Sequence, residues 1–216
     1  MKKSTDDGGS LQQGAKSFQR LGFHIGIGET CRRDRAGAFI YRRKQSVFTD
    51  MRRRYTHCRP SGGSVTRIQR ATVRDVPALL PLVADYWNLE AIPRFEPQRV
   101  AVQLKRLLSE PSLGVGWIAI TEGVAVGYLL AVYVFSLEHL GITAEIDELF
   151  VLPSLRGSGV GAKLLEIAES EFRRARCTNV SLQLSRDNDS ARAFYHHRGY
   201  TDRSAYELLD KPLQDG

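Results

Sequence analysis

The stretch that decides the fold of this 216-residue chain is Leu149-Phe150-Val151-Leu152-Pro153-Ser154-Leu155-Arg156-Gly157-Ser158-Gly159-Val160-Gly161-Ala162. In it an apolar strand ends, a glycine-rich turn follows, and a long amphipathic helix begins at once. The N-terminus of a helix leaves backbone N–H groups unpaired, and its dipole favours an anion there. Glycines let the backbone approach a phosphate closely, and Arg156 adds a positive charge. The stretch therefore predicts a phosphate-binding turn.

Two other nucleotide-binding patterns fit this turn less well. Gly157-x-Gly159-x-x-Ala162 matches the weak dinucleotide pattern, which needs its glycines directly after the first strand of a doubly wound sheet. Here residues 153–156 intervene, and too little chain remains for the rest of that fold. No Gly-Lys-Ser or Gly-Lys-Thr follows, which excludes a P-loop. A simple start of a helix, without any ligand, stays open as an alternative.

Hydrophobic periodicity predicts the other elements on both sides of this turn. Strands are predicted at 65–70, 116–121, 124–135, 144–152, 179–184 and 200–209, and helices at 75–87, 97–109, 160–175 and 190–198. The order is thus β-α-α-β-β-β-α-β-α-β. Early strands joined by a hairpin and late strands joined through helices predict an α/β (α+β) single domain, with one mixed central sheet and helices on both faces.

The positive charge of the chain is confined to its N-terminal third. Residues 1–64 hold 14 Lys and Arg against 5 Asp and Glu, whereas residues 65–216 hold 17 against 19. The net charges of the two parts are therefore +9 and −2, which sum to the +7 of the whole chain. We expect a basic, disordered extension at 1–64 and a folded domain at 65–216. A nucleic-acid or membrane-surface arm is the alternative for the extension, and a start at Met51 is an alternative beginning of the protein.

Several classes of protein are disfavoured by composition. Apolar residues make up 42% of the chain, and the longest apolar run, 124–135, is twelve residues, too short for a membrane-spanning helix. The odd number and wide spacing of Cys31, Cys58 and Cys177 give no disulfide framework, which favours a reducing, cytoplasmic setting. The five histidines have no metal-ligand spacing with each other or with the cysteines, so no metal is predicted.

The motifs around the turn resemble those of the GNAT superfamily of acetyl-CoA-dependent N-acetyltransferases. Leu149-x-Val151-x-Pro153 and Arg156-x-x-Gly159-x-Gly161 are similar to its signature. After the next predicted strand, Asn188-x-x-Ala191-x-x-Phe194-Tyr195-x-x-x-Gly199-Tyr200 is similar to its second motif at the expected distance. The resemblance covers residues 65–209, includes the order of the elements, and says nothing about residues 1–64.

The resemblance implies acetyl-CoA as the cosubstrate. Backbone amides of residues 156–162 would hold its pyrophosphate, and its pantetheine arm would pair with the backbone of Leu149 and Val151 like an added strand. The Leu149 N–H would face the thioester oxygen and stabilise the charge that develops there. The implied cofactor-binding residues are Leu149, Phe150, Val151, Arg156, Gly157, Ser158, Gly159, Val160, Gly161, Ala162, Asn188 and Tyr195, although Asn188 could equally cap a helix.

Tyr195 is the residue that the resemblance makes the general acid. A thiol has a pKa of about 8.5 and a tyrosine one of about 10, close enough for a hydrogen bond or proton transfer to help the sulfur leave. On spacing alone, the alternative role of Tyr195 is a buried aromatic that packs beside Phe194. The resemblance also implies that the loop 88–96 forms one wall of the acceptor pocket.

Three acidic residues are candidates for the base that removes a proton from the acceptor amine: Glu145, Asp147 and Glu148. The period of two in a strand predicts Glu145 and Asp147 on one face and Glu148 on the other. Acidic pairs at this position resemble the spermidine/spermine acetyltransferase branch, where they meet a cationic substrate. A solvated face of the sheet is the alternative for each residue. Asp147 and Glu148 rank ahead of Glu145.

These observations predict an enzyme that moves an acetyl group from acetyl-CoA to a primary amine of a small cationic acceptor, by direct attack in a ternary complex. A protein lysine or N-terminal acetyltransferase is an alternative within the family. A non-catalytic acyl-CoA-binding module is the alternative outside catalysis. No membrane partner is expected, and nucleic acid only through residues 1–64. Homodimers are common in the family, and the residues themselves do not bear on that point.

Overall fold

The computed structural model describes residues 32–33, 39–40 and 65–213, the first two pairs by their backbone alone. The chain divides into two units, Met1–Ser46 and Val47–Gly216. In the first unit, strands β1 (Arg32–Arg33) and β2 (Phe39–Ile40) form an antiparallel pair. The rest of the predicted extension at 1–64 lies outside the described residues.

Within residues 65–213, the described part of the second unit, the chain forms one five-stranded sheet and four α-helices. In chain order its elements are β3 (Arg67–Arg70), α1 (Val76–Leu89), α2 (Pro97–Ser109), β4 (Gly114–Thr121), β5 (Val124–Ser136), β6 (Gly141–Val151), α3 (Val160–Arg174), β7 (Val180–Leu182) and α4 (Asp189–His196). The strand order is β3-β4-β5-β6-β7. All neighbours are antiparallel except β6 and β7, which are parallel. The predicted mixed sheet is therefore confirmed.

Helices cover both faces of this sheet, as predicted. Leu108 of α2 lies against Gly116 of β4, and Phe172 of α3 packs edge-on against Trp117, with ring centroids 5.7 Å apart. Gly116 and Trp117 are consecutive in β4, and consecutive strand residues point to opposite faces. Helices α2 and α3 thus lie on opposite sides. Seven of the eight β4 residues are buried, which requires cover on both faces.

The predicted last strand, 200–209, is wrong. After α4 the described residues 200–213 contain no strand, and large apolar side chains are exposed there, among them Tyr206, Leu208 and Leu209. Alternation of apolar residues predicts a strand only where one face becomes buried. The neighbouring β7 offers only three residues for pairing, and the segment makes ion pairs at the surface instead. Arg203 bonds Glu138 at 2.7 Å, and Asp202 bonds Arg192 at 2.7 Å.

Among the described residues, no helix is both long enough and apolar enough to cross a lipid bilayer.

Candidate active site

The glycine-rich turn joins β6 to α3 through two left-handed residues. Gly157 has a φ of +79° and Gly159 a φ of +88°, backbone angles that residues with a Cβ rarely adopt. Gly159 is also the N-cap of α3, and no side chain caps that end of the helix. A Cβ placed on either glycine would meet no atom within 4 Å. The turn therefore presents open space beside uncapped backbone N–H groups, which suits an anion.

Two side chains complete the turn. The Arg156 guanidinium donates from Nε to the carbonyl oxygen of Val151 at 3.3 Å and lies 5.9 Å from the centroid of the Phe150 ring. Ser158 donates from Oγ to the carbonyl of Leu155 at 2.6 Å. Arg156 is thus held at the end of β6, where a phosphate on the turn would meet its charge.

The last residues of β6 have one edge without a strand partner. The Leu152 N–H donates to the Val126 carbonyl at 2.9 Å, so Val126 and Leu152 form a hydrogen-bonded pair of the β5–β6 ladder. Hydrogen-bonded and non-bonded pairs alternate in an antiparallel ladder, so the N–H groups of Leu149 and Val151 point away from β5. The pairing of β7 with β6 runs only from Ala144 to Ile146. Both donors therefore face the gap where β6 and β7 separate.

A β-bulge overturns the predicted faces of the acidic residues. Leu130 of β5 is opposite Glu148, but Ala131 is opposite Ile146, which leaves Asp147 as the extra residue. Asp147 and Glu148 consequently line the same cavity. Glu145 accepts a hydrogen bond from Gln183 Nε2 of the segment after β7 at 2.9 Å and does not line that cavity. The period of two holds only in a regular strand, and the bulge interrupts it here.

Glu148 is held by two donors from different elements. Trp87 of α1 donates from Nε1 to one carboxylate oxygen at 2.9 Å, and Tyr128 of β5 donates from its hydroxyl to the other at 2.7 Å. Burial raises the pKa of the Glu148 carboxyl, the two hydrogen bonds lower it, and the charge of Asp147 raises it, with a net rise. A carboxylate fixed at both oxygens with a raised pKa is a suitable base.

Asp147 lines the same cavity but is more exposed to solvent than Glu148. Burial raises the pKa of its carboxyl, and the charge of Glu145 adds to the rise. The side chains of Asp147 and Glu148 lie at one end of a cavity of about 480 Å³ between α2 and the sheet. The other walls come from α1, α2, β5 and the residue before β4, and they are mostly apolar. None of residues 88–96, the predicted wall of the acceptor pocket, lines this cavity. Trp87 and Val100, on the helices that flank that loop, line it instead.

Tyr195 lies in α4, within an aromatic cluster. Its ring packs edge-on against Phe194 and Tyr200, with centroid distances of 5.1 and 5.3 Å, and the residue is 8% exposed. Burial raises the pKa of its phenol to about 12, while Arg198 acts in the opposite direction. The hydroxyl is thus protonated at neutral pH. Tyr195 does not line the cavity that holds Asp147 and Glu148.

Asn188 caps the helix that carries Tyr195. Its side-chain oxygen accepts from the Ala191 N–H at 3.1 Å. The cap was one of the two roles left open by the sequence, and contact with a cofactor arm stays a prediction.

Three aromatic residues of the site were missed in the sequence: Tyr86, Trp87 and Tyr128. Tyr86 packs against Phe150 with a centroid distance of 6.3 Å. Burial and the nearby charge of Glu148 raise the pKa of its phenol to about 12. The sequence pattern around Trp87 predicts only the apolar face of a helix, and the pattern around Tyr128 only a buried strand. No local pattern therefore identifies either residue as a hydrogen-bond donor to the site. The half-buried Glu148 carboxylate beside the bulge requires such donors, but neither its burial nor the bulge can be read from the sequence.

A larger cavity, of about 940 Å³, lies elsewhere, along β7 and the C-terminal segment. Tyr195 lines it, but none of residues 156–162 and neither Asp147 nor Glu148 does. It therefore lacks both the anion-binding turn and the acidic pair. In the part of the chain that the structure describes, no three His, Cys, Asp or Glu side chains are grouped as metal ligands would be.

Comparison with known proteins gives consistent results. A family model described as the acetyltransferase (GNAT) family matches residues 79–200. An aminoalkylphosphonate N-acetyltransferase of Salmonella typhimurium is 36% identical over 83 residues, 38% of this chain and 54% of that protein. The chain thus spans about half the length of that relative. An uncharacterized N-acetyltransferase of Archaeoglobus fulgidus is 39% identical over 115 residues, 52% of this chain and 77% of that protein.

Solved structures share the fold. An integron cassette protein from a salt-marsh metagenome is 26% identical with a TM-score of 0.61, covering 69% of this chain and 91% of that one. An aminoglycoside N-acetyltransferase in complex with CoA is 18% identical with a TM-score of 0.61, covering 70% and 98% of the two chains. At that identity the second likeness shows the fold alone.

Proposed function

The chain belongs to the acetyltransferase (GNAT) family, and we propose that it moves an acetyl group from acetyl-CoA to a primary amine of a small cationic acceptor by direct attack in a ternary complex. One observation carries this proposal. The left-handed turn at Gly157 and Gly159 leads into an uncapped helix, directly beside the free N–H edge of β6. A diphosphate and an extended amide arm, the two recognition elements of CoA, suit these two adjacent features.

The backbone supplies the cosubstrate contacts. Within the turn 156–162, the N–H groups of Arg156 and Ser158 already donate to backbone carbonyls, at 3.4 and 3.3 Å. The amides of Gly157 and of residues 159–162 hold the diphosphate, with the Arg156 side chain beside them. The N–H groups of Leu149 and Val151 face the gap between β6 and β7, where an extended arm can pair with them as a strand would. Acetyl-CoA brings the activated acyl group. The Leu149 N–H is aimed to stabilise the oxygen on which negative charge develops during attack by the amine.

Tyr195 donates a hydrogen bond to the departing sulfur. Its phenol pKa of about 12 lies well above the thiol value of about 8.5, so complete proton transfer to a thiolate is uphill. A hydrogen bond to the developing thiolate needs no such transfer and still favours departure. The buried, protonated hydroxyl fits that role.

Glu148 accepts the proton of the acceptor amine, directly or through a water. An alkyl ammonium titrates near 10, so it must lose a proton before it attacks. Asp147 is the second carboxylate of the cavity and attracts the cationic head group. Glu145, bonded to Gln183 outside the cavity, ranks behind both. The similarity to the spermidine/spermine branch rests on this acidic strand alone and stays a prediction.

Two measurements test the proposal. Calorimetry of the full chain with CoA should give a saturable heat. A thiol-release assay with acetyl-CoA should then show turnover with some members of an amine panel: hexylamine, putrescine, spermidine, an amino sugar, an aminoalkylphosphonate and a lysine peptide. Turnover confined to the lysine peptide would favour a protein acetyltransferase. CoA binding without any turnover would favour the non-catalytic module, and no CoA binding would refute the family activity for this chain.

The cytoplasmic setting expected from the sequence stays a prediction, and so does the homodimer, which only the family resemblance suggests.

A further inference from the structure

We propose that the cavity beneath α2 selects a primary monoamine with an extended apolar body, such as an alkylamine, over a diamine or polyamine of the same length. This inference rests on the acetyl transfer proposed above and names the acceptor class of the same site. It follows from how charge and apolar surface are distributed along the 480 Å³ cavity. That volume is in the range of small-molecule sites, about 300–1,000 Å³.

Negative charge is concentrated at one end of the cavity. Glu148 is fixed there by Trp87 at 2.9 Å and by Tyr128 at 2.7 Å, and Asp147 projects from the adjacent bulge. The indole and the phenol each bond one oxygen of the Glu148 carboxylate, and the residue lines the cavity. One ammonium group can therefore be paired at this end.

The opposite end is aliphatic. Leu107 of α2 lies beside Gly114 and Val132, since a Cβ on Gly114 would sit 2.8 Å from the Leu107 Cδ1 atom and 3.0 Å from the Val132 Cα atom. Val132 is two residues beyond Leu130, the partner of Glu148, and therefore lies about 7 Å farther along β5 at roughly 3.4 Å per residue. Leu113 also lines this end. An amine bound to Glu148 thus extends its carbon chain toward aliphatic side chains.

The charged group that α2 contributes to the cavity has the wrong sign for a second ammonium. Arg106 precedes Leu107 and lines the cavity, and its guanidinium pairs with Glu110 on the exposed side at 3.2 Å. Gln103, the other polar residue that α2 contributes, is neutral. Glu145 is the cross-strand partner of Val132 and shares its face of the sheet, but its carboxylate accepts a hydrogen bond from Gln183 Nε2 at 2.9 Å and does not line the cavity. Inside the cavity a distal ammonium would meet Leu107, Leu113 and Arg106, so it would lose hydration without gaining a counter-charge there.

Hexylamine and 1,6-diaminohexane are a matched pair for testing this selection in the full-length protein. They have the same number of carbons and the same reacting amine, and they differ by one distal ammonium. We expect hexylamine to have a kcat/KM at least tenfold higher, although the diamine offers two reactive ends. Along the series from propylamine to hexylamine, kcat/KM should rise about two- to fourfold per methylene, as burial of a CH₂ group implies.

A charge placed at the aliphatic end should reverse the preference. Leu107→Glu gives the distal ammonium a partner, so the ratio of the two kcat/KM values should move at least tenfold toward the diamine. Val102→Glu is the matched control, because Val102 is on the same helix but is 60% exposed and does not line the cavity. If Leu107→Glu does not fold, Leu107→Gln and the wild-type substrate pair still decide the question. Leu107→Gln should lower the gain per methylene.

Equal or better turnover of 1,6-diaminohexane by the wild-type protein would overturn the selection while leaving acetyl transfer intact. So would a flat alkylamine series together with a strong preference for butyryl-CoA or hexanoyl-CoA over acetyl-CoA, which would assign the aliphatic end to the acyl chain. Absence of turnover with every amine, with CoA still bound, would refute acetyl transfer itself, and the inference with it.

Discussion

Trp87 Nε1 and Glu148 Oε1 form a 2.9 Å hydrogen bond between residues 61 positions apart in the chain. The bond connects helix α1 to the bulged strand β6 and stabilises the ionised carboxylate. It therefore counteracts the burial that raises the pKa of Glu148.

Replacing Trp87 by Phe should shift the acid limb of the pH–activity profile upward. Loss of the indole donor removes an interaction that lowers the pKa of Glu148, so this base becomes protonated at a higher pH. Below neutrality kcat/KM should therefore fall earlier in Trp87→Phe than in the wild type. The measurement is kcat/KM for one amine across the pH range in which the protein stays folded.

Trp117→Phe is the control for that experiment. Trp117 is the other tryptophan of the chain, and it packs against Phe172 away from Glu148. Its replacement should lower stability but leave the acid limb in place. An unshifted profile in Trp87→Phe would show that Glu148 is not the titrating base.

Replacing Tyr195 by Phe should lower kcat about tenfold or more and leave the affinity for CoA nearly unchanged, because general acid help typically contributes 10² to 10⁴ and a hydrogen bond less. Tyr200→Phe is the matched control. The Tyr200 ring packs against Tyr195, but its hydroxyl donates to Glu169 at 3.0 Å. It should cost about 1 kcal/mol of stability with little change in kcat. Equal kcat values for Tyr195→Phe and the wild type would assign Tyr195 to packing alone.

Replacing Gly159 by Ala should weaken CoA binding as well as stability. The left-handed φ of +88° costs a residue with a Cβ about 1–2 kcal/mol, and relief of that strain would move the N–H groups of the turn. Gly123→Ala is the control, since Gly123 has a φ of +80° and the same open surroundings in the β4–β5 hairpin. Both variants should lose similar stability by thermal melting, but only Gly159→Ala should bind CoA more weakly by calorimetry. Equal CoA affinities would remove the turn from the cosubstrate site.

Replacing Asp147 by Asn should make the protein more stable at neutral pH and less active. Because the pKa of Asp147 is raised in the folded protein, the folded state keeps a proton that the unfolded state has already lost. The contribution of Asp147 to the free energy of unfolding therefore falls as pH rises from its unfolded-state pKa to its higher folded-state pKa. The stability gain of Asp147→Asn should appear above that pH range and vanish below it. Urea unfolding at several pH values measures this, and a gain independent of pH would contradict it.

Deletion of residues 1–64 should abolish binding to nucleic acid. The net charge of that segment is +9 and that of the remainder is −2, so contacts with phosphates are expected from the segment alone. Filter binding at several salt concentrations compares the full chain with the shortened one. Equal binding by both would place the interaction on the folded domain instead.

The sequence was sufficient for local features and insufficient for those set by tertiary contacts. The order of elements and the glycine turn follow from periodicity and from residue types that impose a backbone conformation, as at Gly159. The faces of Asp147 and Glu148 did not follow, because the bulge depends on how β5 pairs with β6. The strand predicted at 200–209 failed because alternation alone does not tell whether a neighbouring edge is available.

The donors to Glu148 were unpredictable for a related reason. A tryptophan near the end of α1 and a tyrosine within β5 both have ordinary structural roles in their own elements. Only the packing of α1 against the sheet brings Trp87 and Tyr128 to the same carboxylate. Contacts of this kind join residues that are far apart in sequence, and no local pattern marks them.

The chain has one tryptophan in each layer of the domain, Trp87 beside the acidic pair and Trp117 against α3. Fluorescence can therefore observe the two layers separately. In Trp117→Phe, emission comes from Trp87 alone and should respond when an amine occupies the cavity beside Glu148. In Trp87→Phe, emission comes from the opposite layer and should remain constant until the domain melts.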